Sequence, residues 1–218
     1  MTYVAWDIET CPRPSEELSD SHRRRHRKEC EHRMDGSGEP SEEQRSKAAS
    51  LHPMLGWVCC VSAVAGSLER GHREPYSWTA ADQTDEAEML RAFWSDIESM
   101  VAQTRQIRWV TFNGKQFDAP FLSARSVRHG VHSTDQDILD THKYRDGSHL
   151  DLANVWQRPW YSLEDLCDFL DVESPKGSFD GSDVAPAVRD GRIDEVRKYC
   201  ERDAVATFRC AEALVPFL

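Results

Sequence analysis

Thr2-Tyr3-Val4-Ala5-Trp6-Asp7-Ile8-Glu9-Thr10 decides the reading of this chain. The residues alternate with a period of two, which is the pattern of a β-strand. Val4, Trp6 and Ile8 take one face; Ala5, Asp7 and Glu9 take the other. Large apolar side chains on one face place the strand centrally. Two carboxylates sharing the opposite face of a central strand repel each other and are costly to desolvate without a positive partner. From this stretch alone, a metal site and a solvated strand end are equally good readings.

Two further segments carry acids in comparable settings. Asn113-Gly114-Lys115-Gln116-Phe117-Asp118 is a turn running into an apolar helical pattern. Asp118 there is either an N-cap or a ligand, and the two roles are compatible. Tyr199-Cys200-Glu201-Arg202-Asp203 lies on a C-terminal helical pattern. Tyr199 and Asp203 are four apart, so they stack on one flank beside the apolar stripe. Together the segments supply four carboxylates and a phenol, an all-oxygen donor set suited to two hard divalent cations.

Around these segments the pattern is that of a mixed α/β chain. Trp57 to Ala65 reads as a buried strand, with Tyr76 to Thr79 as its hairpin partner. Residues 83–103 have helical spacing, and Ile107 to Phe112 returns to strand. Phe117 to His129 reads as a helix, and Ile138-Leu139 as a short strand. A long loop with Trp156, Trp160 and Tyr161 follows; these rings either stack bases or pack in the core. Ser162 is expected to cap a helix, and a last helix is expected from Ile193 to Leu218. A strand meander followed by alternating helix and strand gives an α/β sheet flanked by helices.

Residues 12–51 stand apart. They are polar, nearly free of large apolar side chains, and read as a charged insertion rather than a domain. Ser15 to His32 is expected to form a charged helix, and Asp35 to Pro40 a loop. Residues 11–50 hold nine basic and nine acidic residues, so the net charge of −11 resides elsewhere. That charge argues against a protein that coats nucleic acid, but not against one that grips a few nucleotides. The dense basic run Arg23-Arg24-Arg25-His26-Arg27-Lys28 either tracks phosphates or is a solvated helix face. Seven cysteines without framework spacing are expected to be reduced thiols. No apolar run approaches the roughly 20 residues of a membrane span. With a strand beginning at Thr2, a signal peptide is not expected and a cytoplasmic location is.

The three acidic segments, in this order, resemble the motifs of the DEDD exonucleases, whose fold is ribonuclease H-like. Asp7-Ile8-Glu9-Thr10 resembles the first motif, Asn113-Gly114 with Phe117-Asp118 the second, and Tyr199 with Asp203 the third in its tyrosine form. The histidine subclass would place His where Lys198 stands, so the chain is similar to the DEDDy group. The stretch Ser162 to Asp203 resembles stand-alone relatives of the proofreading exonuclease of family-B DNA polymerases. The resemblance covers nearly the whole chain except residues 12–51, so residues 1–218 are expected to be one exonuclease domain carrying that insertion.

The resemblance implies a 3′–5′ exonuclease that hydrolyses terminal phosphodiesters of single-stranded nucleic acid, DNA rather than RNA, to 5′-mononucleotides. It implies two divalent cations, Mg²⁺ or Mn²⁺. Asp7 would bridge them, Glu9 and Asp203 would complete one site, Asp118 would help hold the other, and Tyr199 would orient the attacking water. Thr10, Asn113, Phe117 and Phe121 are candidates to hold the terminal nucleotide; Phe121 reads equally as core. The implied partners are a single-stranded DNA or RNA 3′ end and a replication or repair protein. The competing reading is a non-catalytic module that keeps the fold to bind nucleic acid or a replication partner. A phosphoesterase acting on small nucleotides is a third.

Overall fold

The computed structural model describes residues 1–33, 39–143, 145–156, 160–175 and 177–218. Its spine is strand β1 (Thr2–Pro12), which lies inside a mixed sheet. β1 pairs antiparallel with β2 (Gly56–Ser67) from Tyr3 to Pro12. On its other edge it pairs parallel with β5 (Ile107–Thr111), but only over Thr2 to Ala5. β5 pairs parallel in turn with β6 (His149–Asp151). The far edge of β2 takes two short antiparallel partners, β3 (Gly71–His72) and β4 (Tyr76–Thr79). The register of β1 against β2 slips between Glu9 and Thr10, where Cys59 is the extra residue. Such bulges re-aim side chains and are frequent beside active sites.

The alternation of β1 sorts the core into two layers. Val4, Trp6 and Ile8 pack in one cluster with α3 (Glu86–Gln103) and α4 (Asp118–Arg128) through Phe93, Trp94 and Leu122. Tyr3 and Ala5 face a second cluster built from α5 (Leu163–Phe169) and α7 (Ile193–Leu214). The stripe of α7 that meets the sheet includes Ala204, Phe208 and Ala211, all fully buried. Small residues at 204 and 211 let the helix approach the sheet, so α7 lies along the face that carries Asp7 and Glu9. Burying side chains the size of Trp6, Phe93 and Phe208 contributes about 1.5–3 kcal/mol each. This is an α/β architecture, a mixed sheet flanked by helices.

Several boundaries differ from the sequence expectation. Ile138 and Leu139 form a turn, and the outer parallel strand is β6. Ile138 is fully buried as a single plug from that turn, so its hydrophobicity reflects burial without strand periodicity. The last helix stops at Leu214, and a 3₁₀ turn with Pro216 follows. A short helix, α6 (Val184–Arg189), precedes α7.

The inserted stretch is more structured than its composition suggests. A 3₁₀ turn at Ser15–Glu17 precedes helix α1 (Asp20–Arg33), and a second helix follows, α2 (Glu42–Ser50). Helix α2 opens on a reciprocal capping box between Ser41 and Gln44. Leu18, Ala49 and Leu55 form a small buried cluster. Backbone bonding of Arg13 to Leu55 (2.8 Å) closes the stretch back onto β1. Most of the expected 35–40 loop lies outside the described residues.

Candidate active site

Asp7 and Glu9 stand on the half of β1 that has run past the end of β5. Ile8, between them, has a backbone N–H on that open edge. Asp118 accepts it: the distance from the Ile8 nitrogen to Oδ1 is 3.1 Å. The carboxylate of the second motif thereby continues the ladder that β5 abandons. Asp118 is the first helical residue of α4 and is 3% exposed. It does not cap the helix with its side chain; Phe117 occupies the N-cap position.

The turn that delivers Asp118 is built around a left-handed residue. Asn113 has φ +63°. Gly114 follows because a Cβ there would sit 2.5 Å from the Thr111 side chain. Asp151, at the end of β6 and 1% exposed, accepts three backbone N–H groups: Asn113 (2.7 Å), Lys115 (3.0 Å) and Ala153 (3.1 Å). Lys115 is itself buried and donates from Nζ to the carbonyl of His142 at 2.9 Å.

From the other side, α7 brings Tyr199, Cys200 and Asp203. The Tyr199 phenol lies beside the Asp203 carboxylate, and its ring packs 5.4 Å from Phe179. The Cys200 thiol donates to the Asp7 carbonyl (3.4 Å) and lies 3.5 Å from Asp7 Oδ2. Among the described residues, Asp7, Glu9 and Cys200 offer ligand atoms within 4.8 Å of one another.

The electrostatics are those of a negative cluster. Burial, followed by the charges of Asp118, Asp203 and Glu9, holds the Asp7 carboxyl well above the usual carboxylate range. Burial and Asp203 do the same to Glu9. Burial pushes Asp118 up to about 7, although the Ile8 N–H pulls against it. Burial pushes Asp203 up to about 6, against the pull of the Tyr199 phenol and Arg202. Burial and the same carboxylates drive the Tyr199 phenol upward, so it keeps its proton at neutral pH. Asp7, Glu9 and Asp118 are each raised in part by neighbouring carboxylates, and the buried Oδ1 of Asp203 has no hydrogen-bond partner; an oxygen-rich, negative setting of this kind fits a divalent cation.

The other candidates divide. Asn113 is exposed and Phe117 half-buried, so both remain open to a ligand. Phe121 is 1% exposed and packs among the core aromatics; a ring with no open face cannot stack a base, so it is a core residue. Thr10 is buried, and its hydroxyl donates to the Ser50 carbonyl at 2.8 Å, tying β1 to the end of α2. It is a link to the insertion rather than an open contact. Trp156 and Trp160 are exposed at the surface, not core. In the basic run, Arg23 is drawn to Asp20 (2.6 Å) and Arg25 lies 3.8 Å from Glu29.

Asp151, Cys200 and Arg202 were not singled out by the sequence reading. Asp151 sits on a strand of three residues whose first, His149, is a fully buried polar side chain. Cys200 does lie in the Tyr199–Asp203 segment, but a cysteine in an apolar stripe reads as packing.

The fold defines a class of protein, the α/β domains with a ribonuclease H-like sheet flanked by helices. A family described as "Predicted 3'-5' exonuclease related to the exonuclease domain of PolB" matches residues 52–210, and the chain belongs to that family. Asp7 and Glu9 lie before the matched stretch. The family B DNA polymerase from the hyperthermophilic archaeon Pyrobaculum calidifontis is similar in structure over 99% of this chain, with a TM-score of 0.58 and 18% identity. The chain spans 25% of that polymerase's length, and the likeness speaks for the fold. No described helix is long and apolar enough to cross a membrane.

Proposed function

We propose that this chain is a metal-dependent 3′–5′ exonuclease of the DEDDy type that removes 5′-mononucleotides from single-stranded nucleic acid, DNA in preference to RNA. The observation that carries the reading is that Asp7 and Glu9 lie together beside α7, that Asp118 is tied to Ile8 between them, and that Asp203 with a protonated Tyr199 acts on them electrostatically from α7. Reading residues 1–218 as one exonuclease domain, with 12–51 inserted, is part of the proposal.

Asp7, Glu9, Asp118 and Asp203 would hold two divalent cations, Mg²⁺ or Mn²⁺. Bound there, the cations would supply activation of the attacking water and stabilisation of the departing 3′ oxygen. The chain's own residues do the rest. Asp118 fixes its carboxylate by accepting from Ile8, so the second motif cannot drift from the first. Tyr199, kept as a phenol, donates a hydrogen bond and so orients an oxygen nucleophile without acting as its base. Asn113 and Phe117 stand at the turn beside Asp118 and would hold the terminal nucleotide by hydrogen bonding and stacking.

The test is a gel assay on 5′-labelled DNA and RNA oligonucleotides with Mg²⁺, Mn²⁺ or EDTA, with Asp7→Ala alongside. A metal-dependent ladder shortening from the 3′ end, absent in the variant, is expected. Absence of a ladder with every metal, from folded protein, rejects the reading.

A further inference from the structure

Helix α7 has a second functional-looking face, a quarter-turn from the acidic cluster. Lys198, Arg202, Val205 and Arg209 are spaced by four, three and four, which at about 100° per residue keeps them on one side. Tyr199 and Asp203 sit roughly 90–130° around from that side. The face lines an open cavity of about 430 Å³ together with Pro75 and Glu173 to Pro175. Volumes of about 300–1,000 Å³ are typical of small-molecule sites.

The lining charges are not balanced. Glu201 is engaged by Arg197 (2.6 Å) and by Ser77 (2.9 Å). Glu173 is engaged by Arg209 (3.3 Å). Lys198 is exposed and makes no ion pair among the described residues. Arg202 is exposed too, with its guanidinium 5.9 Å over the Tyr199 ring. Lys198 therefore remains available in a cavity on a chain of net charge −11, and Arg202 stands between that cavity and Asp203, whose charge it partly offsets. Pro75, Pro175 and Val205 supply flat apolar surface in the same cavity. An anion joined to a planar apolar body satisfies both features, and Arg202 forms the shared wall with the acidic cluster.

We propose that this cavity binds a nucleotide, with its phosphate on Lys198 and Arg202 and its base against Pro75, Pro175 and Val205. The ligand is either a free 5′-mononucleotide or a nucleotide unit of a bound strand. The site itself is independent of catalysis; only its meaning, as a product or strand subsite, rests on the exonuclease reading.

The experiment is calorimetric titration of the full chain in EDTA with 5′-AMP, 5′-dAMP, adenosine and inorganic phosphate, and with a 3′-blocked oligonucleotide. The same titrations are run on a Lys198→Ala, Arg202→Ala double variant, with melting temperature checked for both proteins. Mononucleotide binding that falls at least tenfold in the double variant, and is much weaker for adenosine, supports a mononucleotide site. If only the oligonucleotide binds, and its affinity falls at least tenfold in the variant, the strand is the ligand. Affinities unchanged by the double substitution, or no binding of any nucleotide, overturn the proposal. A failed ladder assay alongside Lys198-dependent nucleotide binding would reject the enzyme and keep the site; an intact ladder with unchanged affinities would do the reverse.

Discussion

The Asp118 carboxylate accepts the backbone N–H of Ile8 at 3.1 Å, at the point where β1 has outrun β5. One oxygen of this acid is thus a structural acceptor, and its charge is a burden, since burial raises its pKa to about 7. Asp118→Asn keeps an oxygen for Ile8 and removes the charge. Metal-free Asp118→Asn should therefore be more stable than the wild type at pH 8, by on the order of 2 kcal/mol. Asp118→Ala, which strands the Ile8 N–H, should be about 1–3 kcal/mol less stable than Asp118→Asn. Denaturant titrations of the three proteins in EDTA decide it; an Asn variant no more stable than Ala would contradict the hydrogen bond.

The same raised carboxylates fix the sign of the pH dependence. Asp118 at about 7 and Asp203 at about 6 bind protons more tightly folded than unfolded. Their stabilisation is complete below the ordinary carboxylate range and is lost as pH rises through 6 to 7. A divalent cation competes with those protons, so stabilisation by Mn²⁺ should grow over that window. Melting temperature with and without Mn²⁺, from pH 5 to 8, should show a shift that widens with pH and nearly vanishes in Asp203→Asn. A shift independent of pH would place the cation elsewhere.

Tyr199 is driven far above its ordinary pKa by burial and by Asp203, Glu9 and Asp7. On the proposed mechanism it would remain a donor across the working range and add no ionisation of its own to the rate profile. Tyr199→Phe should lower kcat by roughly 10–100-fold, less than loss of a true general base would. The limbs of the pH–rate profile should stay where they are, and the Mn²⁺-induced melting shift should persist. A limb that disappears in the Phe variant would mean the phenol titrates during turnover.

The placement of Asp7 and Glu9 on one face was legible because β1 alternates: Val4, Trp6 and Ile8 meet α3 and α4, while Tyr3 and Ala5 pack toward α7 and Asp7 lies against Cys200. Asp203 and Tyr199 were legible because helical spacing puts them on one flank. What escaped was set by tertiary pairing. β6 is three residues long and owes its conformation to β5, not to its own pattern. Phe121 and Thr10 carry the right chemistry for a nucleotide contact, but only packing reveals that one faces the core and the other faces Ser50. Helix α2 was signalled by Ser41 and Gln44 three residues apart, a capping box obscured by the surrounding charge.

Asp151 shows how a residue outside the motifs governs the site. Its carboxylate gathers the N–H groups of Asn113, Lys115 and Ala153, so it holds the left-handed Asn113 turn that feeds Asp118. Asp151→Ala leaves three donors without their acceptor, that of Lys115 fully buried, and should cost about 2–5 kcal/mol. Asp151→Asn retains one acceptor oxygen and turns an amide toward another N–H, so it should fall between. The loss should also reach the site: with the turn loosened, Asp118 is less firmly held, and Mn²⁺ affinity should drop in Asp151→Asn at temperatures where the protein is fully folded. Equilibrium unfolding and Mn²⁺ titration of the same samples check the two parts together. Reduced stability with unchanged Mn²⁺ affinity would confine Asp151 to the fold and detach it from the positioning of Asp118.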